Sequence, residues 1–61
     1  MAIKGAKTIA EYAIRRWLEE NHFDMEWFEL NMHGNEAILT DRVGNKLHLR
    51  YDNQTRLVEI I

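Results

Sequence analysis

Lys46-Leu47-His48-Leu49-Arg50-Tyr51 alternates without a fault, placing Leu47, Leu49 and Tyr51 on one side and Lys46, His48 and Arg50 on the other. Such alternation marks a β-strand with one buried and one solvated face, the usual condition of antiparallel sheets. A strand is therefore expected over residues 46–52. Turn chemistry bounds it on both sides. Asp41-Arg42-Val43-Gly44-Asn45 precedes it, with Asp at the start and Gly-Asn at the end, and Asp52-Asn53-Gln54-Thr55 follows. Beyond the second turn, Arg56-Leu57-Val58-Glu59-Ile60-Ile61 supplies a last strand, 56–61.

Upstream, Glu36-Ala37-Ile38-Leu39-Thr40 gives a strand over 36–41, joined through His33-Gly34-Asn35 to a strand over about 26–33. Gly and Asn both accept positive φ, so this connection reads as a tight hairpin turn. In the first strand Phe28, Leu30 and Met32 oppose Glu29, Asn31 and His33. Phe23, Met25 and Trp27 have the other parity, so the phase slips between Trp27 and Phe28. A bulge accounts for this, or Phe23 plugs the core from a loop; the second reading is preferred. Short loops between successive strands predict a meander in sequence order, with three or four strands.

The N-terminal third has a different period. Thr8-Ile9-Ala10-Glu11 reads as a capping box, the Thr8 hydroxyl serving an orphan N–H and Glu11 reaching back to the cap. A helix over about 9–21 places Ile9, Ala10, Ala13, Ile14, Trp17 and Leu18 in one apolar stripe. Glu11, Arg15, Arg16, Glu19 and Glu20 occupy the other side, where Glu11–Arg15, Arg15–Glu19 and Arg16–Glu20 have i,i+4 spacing. Asn21 and His22 end the pattern, Asn being tolerated in the left-handed conformation. The fold class is thus α+β, a helix packed on an antiparallel β-meander, α-β-β-β-β.

Composition bounds the rest. The 61 residues allow one core and a single domain, 1–61. With no cysteine there is no disulfide or thiolate metal site, and reducing surroundings suit the chain. No run approaches the roughly 18 apolar residues of a membrane span, and Met1-Ala2-Ile3-Lys4-Gly5 does not begin a signal peptide. A cytoplasmic protein without a membrane partner is expected. Eight Lys and Arg against ten Asp and Glu give a charge of −2, so binding to nucleic acid would need a local basic patch.

Candidate chemistry is sparse. His22, His33 and His48, taken with Asp24, Glu36 and Asp52, invite a metal site, yet no two histidines have i,i+3 or i,i+4 spacing. Structural or surface roles explain them, as hairpin chemistry explains Asn31–Asn35. There is no Cys or Ser nucleophile, Thr8, Thr40 and Thr55 fit a cap, a strand and a turn, and proline is absent. The glycines, at 5, 34 and 44, form no phosphate loop. No enzyme, cofactor or metal is expected.

Two surfaces remain. Arg42, Lys46, His48, Arg50 and Arg56 gather on or beside the second hairpin and could contact nucleic acid, but Glu29, Glu36, Asp41, Asp52 and Glu59 can pair with them across strands. The alternative nucleic-acid contacts are Arg42, Lys46, Arg50 and Arg56. The other surface is the sheet face opposite the helix, expected to show Ile38, Thr40, His48, Arg50 and one parity of the last strand, with Trp27 joining it. Whichever parity of that strand points inward, Leu57 with Ile61 or Val58 with Ile60 must point outward. Its single charge and lack of proline leave an unblunted apolar edge. Unless the tail merely closes a gap in the core, Trp27, Ile38, Thr40, His48, Arg50, Leu57, Ile60 and Ile61 form an interaction surface for a protein partner or a second copy, as a homodimer. The short helix-then-hairpins layout, without catalytic residues, is similar to accessory or regulatory proteins of phages and other mobile elements. That likeness implies binding to a host complex.

Overall fold

The computed structural model describes residues 7–61, and the reading of Met1–Gly5 lies outside them. One α-helix, α1 (Ile9–Glu20), is followed by a 3₁₀ turn (Met25–Trp27) and four strands, β1 (Phe28–His33), β2 (Glu36–Asp41), β3 (Lys46–Asp52) and β4 (Leu57–Ile60). The strands form one antiparallel sheet in the order β1-β2-β3-β4. This is the α+β meander expected from the alternation of period. Among the described residues no helix is long and apolar enough to cross a membrane.

Both ends of α1 are closed locally. Thr8 lies in extended geometry and its hydroxyl accepts from the Glu11 N–H at 3.0 Å. The Glu11 carboxylate does not return to Thr8; it accepts from the Lys7 N–H at 3.3 Å and from Arg15 Nε at 2.8 Å. At the other end the left-handed residue is His22, with φ 64°, and not Asn21. Phe23 N–H donates to Leu18 C=O and His22 N–H to Glu19 C=O, a Schellman closure that turns Phe23 back onto the helix. Asn21 instead donates its side-chain amide to the Trp17 carbonyl at 2.8 Å.

The core is built from Ala10, Ile14 and Leu18 on α1, Ala37 and Leu39 on β2, and Leu49 and Tyr51 on β3. Two positions of α1 depart from the expected stripe. Ile9 is 74% exposed, whereas Glu11 is buried. Glu11 tolerates burial because Arg15 and the Lys7 amide satisfy its carboxylate. Arg15 therefore turns to Glu11 and not to Glu19, while Arg16–Glu20 forms as expected at 3.3 Å.

A helix is about 10–12 Å wide, and four strands at about 4.8 Å spacing are wider. The single helix accordingly lies over β3 and β4. Phe23 covers the remainder, packed between Trp17 at 5.9 Å and Phe28 at 5.5 Å between ring centroids. The phase slip is thus resolved by the 3₁₀ turn ahead of β1, with no bulge, and Trp27 falls outside the strand.

The hairpins show why their registers are secure. At Gly34 φ is +62°, and Asn35 stays at negative φ, so the two-residue loop closing His33↔Glu36 has the II′ pattern. Gly44 at φ +102° closes the second hairpin, where Asp41 and Asn45 are joined by Asp41 N–H to Asn45 C=O. The Asp41 carboxylate accepts from the Val43, Gly44 and Asn45 N–H groups at 2.8–2.9 Å.

Candidate interaction surface

On the face opposite α1 the register sets out rows of side chains. Glu29, Thr40 and Lys46 form one; Asn31, Ile38 and His48 form the next; His33, Glu36, Arg50 and Glu59 form the third. Ile61 joins the second row, because its N–H donates to the His48 carbonyl at 2.9 Å. The charged members are mostly paired. Arg50 donates to Glu59 Oε2 at 2.9 Å, and His48 Nε2 lies 3.0 Å from Glu36 Oε1. The hydrogen bond from Arg50 to Glu59, reinforced by their opposite charges, raises the Arg50 pKa above its ordinary value. Ile38 and Ile61 flank His48 on this face.

The other expected site residues are distributed differently. Trp27 is half exposed at the end of β1, where it borders a shallow depression of about 330 Å³ with Glu29, Thr40 and Arg42. The Arg42 guanidinium stacks 4.4 Å from the Trp27 ring and donates to the Glu26 carbonyl at 3.2 Å. Leu57, opposite Asp52, points to the open face. Ile60 is opposite Leu49 and therefore on the helix side, although it is 60% exposed. Ile60 and Leu57 thus bracket β4 from its two faces.

The basic residues do not form one strip. Arg42 and Lys46 sit at the β2–β3 turn, whereas Arg56 sits at the β3–β4 turn, the length of β3 away, or roughly 20 Å. Arg56 holds φ 60° and its N–H closes onto the Asp52 carbonyl. Two acids expected to pair with these cations serve turns instead. Asp52 accepts from the Gln54 and Thr55 amides. Asp41 loses hydration, which raises its pKa, but its bonds from Asn45, Val43 and Gly44 together outweigh that and leave the carboxyl below its ordinary value. Among the described residues no group of His, Asp and Glu converges to hold a metal ion; His22 closes the helix and His33 borders the first turn.

Among the described residues no strand pairs with the outer edge of β4. Its pairing with β3 alternates, and Ile61 N–H points at β3, so residues 57, 59 and 61 direct their backbone groups inward to the sheet. Val58 and Ile60 direct theirs outward. Of the exposed large hydrophobic residues Ile9, Trp27, Val43, Leu57, Ile60 and Ile61, three belong to β4 or follow it directly. Beside them runs a groove of about 640 Å³ between α1 and β4, lined by Ile9, Tyr12, Arg16, Arg56, Leu57 and Val58. This groove was not legible in the sequence, because Ile9 has the periodicity of a core residue. Compared with known protein families, curated proteins and solved structures, the chain finds no match.

Proposed function

We propose that this chain is a non-catalytic interaction module that docks another polypeptide along the outer edge of β4. The observation that carries the reading is the coincidence, on one short strand, of outward backbone groups at Val58 and Ile60 with exposed Leu57, Ile60 and Ile61. An added strand would satisfy those groups and cover the apolar side chains together. A cytoplasmic setting suits the cysteine-free sequence, and an accessory or regulatory role in a phage or mobile element suits a module of this size. Nucleic-acid binding through Arg42, Lys46, Arg50 and Arg56 has less support, since Arg50 is paired with Glu59 and the other three are divided between opposite ends of β3.

The test uses the full chain as bait in extract from its native host, beside Val58→Pro and Ile60→Lys. Proline removes an outward N–H without breaking a bond to β3, and lysine blunts the edge. A polypeptide retained by the unmodified chain and lost from both variants is expected, with slowed amide exchange at Val58 and Ile60 in the complex. Equal retention by the variants, or protection confined to another surface, refutes the reading. Salt-sensitive retention on heparin lost between about 50 and 200 mM salt would favour nucleic acid instead.

A further inference from the structure

We infer that the polypeptide received by the β4 edge is the β4 edge of a second copy, paired antiparallel about a two-fold axis that passes between the two Glu59 residues. The inference rests on the edge-docking reading and adds its occupant and register.

The segment Leu57-Val58-Glu59-Ile60-Ile61 is self-complementary when read against itself in the opposite direction. Centred on Glu59, it sets Leu57 opposite Ile61 of the second copy and Val58 opposite Ile60, and symmetry repeats both pairs. Leu57 and Ile61 share the open face, whereas Val58 and Ile60 share the helix side, so each pair meets on one face of the joined sheet. The backbone phase is compatible with this register. Val58 and Ile60 carry the outward N–H and C=O groups, and this register makes them the reciprocal hydrogen-bonded pairs, with Glu59 at the non-bonded position between them.

Neighbouring registers are worse. A shift of one residue puts the outward amides out of phase with their acceptors. Centring on Val58 sets Glu59 against Leu57, and centring on Ile60 sets Glu59 against Ile61. In the Glu59-centred register the two carboxylates do meet, but each is held by its own Arg50 at 2.9 Å, so the seam carries a symmetric row of positive, negative, negative and positive charge. Because the axis is perpendicular to the sheet, both helices lie on one side of a continuous eight-stranded sheet. Ile60 of the second copy then stands beside Val58, next to the groove that Val58 shares with Ile9 and Tyr12. The seam takes in Ile60 on the helix side and Leu57 and Ile61 on the open face, three of the exposed large hydrophobic residues.

Sedimentation equilibrium of the purified chain, from about 1 μM to 1 mM, spans the range in which so small a seam dissociates. A reversible dimer is expected, abolished by Ile60→Lys and by Val58→Pro; should the proline variant fail to fold, the lysine variant decides. Register is read by cysteine scanning in this cysteine-free chain. A non-bonded antiparallel pair brings Cα atoms to about 4.5 Å, within disulfide range. Glu59→Cys is therefore expected to cross-link on mild oxidation faster than Val58→Cys, Ile60→Cys or the turn control Asn53→Cys. A monomer at every concentration overturns the inference, as does preferential cross-linking at Val58 or Ile60. If the monomer still retains a host polypeptide through the edge, self-pairing fails while the docking reading stands.

Discussion

Leu49 and Ile60 face each other across β3 and β4, on the same side of the sheet, yet Leu49 is fully buried and Ile60 is 60% exposed. Truncating each to alanine separates the effect of burial from that of strand pairing. Leu49→Ala removes a side chain enclosed by the core of α1, β2 and β3, and such sites lose about 2–5 kcal/mol. Ile60 keeps roughly two-fifths of its surface covered, and full burial is worth about 1.5–3 kcal/mol, so Ile60→Ala should cost about 1 kcal/mol. A domain of 61 residues has roughly 3–9 kcal/mol of stability in total. Leu49→Ala is thus expected to consume about half of it or more, whereas Ile60→Ala lowers Tm by about 4–8 °C. Urea denaturation in dilute protein, followed by tryptophan fluorescence and far-ultraviolet circular dichroism, measures both. The lowest workable concentration is used because any self-association would add to the apparent cost at Ile60. Equal losses at the two positions, or a larger loss at Ile60, would refute the placement of α1 over β3 with the end of β4 left bare.

Two backbone positions should respond in opposite directions. His22 is a non-glycine residue at φ 64°, so His22→Gly is expected to stabilise by a few tenths to about 1 kcal/mol, whereas Gly44→Ala, at φ +102° with open space around it, should cost about 1–3 kcal/mol through backbone strain alone. Thermal unfolding monitored by circular dichroism gives both signs. Glu11 should make stability depend on acid. Its hydrogen bond from Arg15, set against the desolvation of its burial and aided by the Lys7 amide, holds its carboxyl below the ordinary 4.5. A carboxyl lowered on folding stabilises the native state fully above its unfolded pKa, and the gain is lost as pH falls through the native value. Wild type should therefore exceed Glu11→Gln in stability by a constant margin at neutral pH, and the two should converge below the carboxylate range in urea titrations at stepped pH. A margin that stays constant into acid would contradict the Arg15–Glu11 pairing.

Much of the architecture was legible because it is written in periodicity. A period-two run such as 46–51 has one geometry that buries Leu47, Leu49 and Tyr51 together, and glycine at 34 and 44 supplies the positive φ that the tight hairpins need. The helix and its Thr8 cap follow from contacts within one turn. What periodicity could not express was where one helix stops covering a wider sheet. Ile9 has the spacing of a core residue and lies in solvent, Glu11 has the spacing of a surface residue and is buried, and the inward parity of β4 leaves Ile60 bare. Those outcomes depend on the lateral position of α1 over β3 and β4, a relation between segments distant in the chain. The same holds for charge: Arg42, Lys46 and Arg56 lie close in sequence, but β3 holds Arg56 a strand length from the other two. Sequence determined the elements, their order and the apolar character of the last strand; tertiary packing alone decided which of its faces and which backbone groups are left exposed, because burial belongs to the assembled layers and not to any one of them.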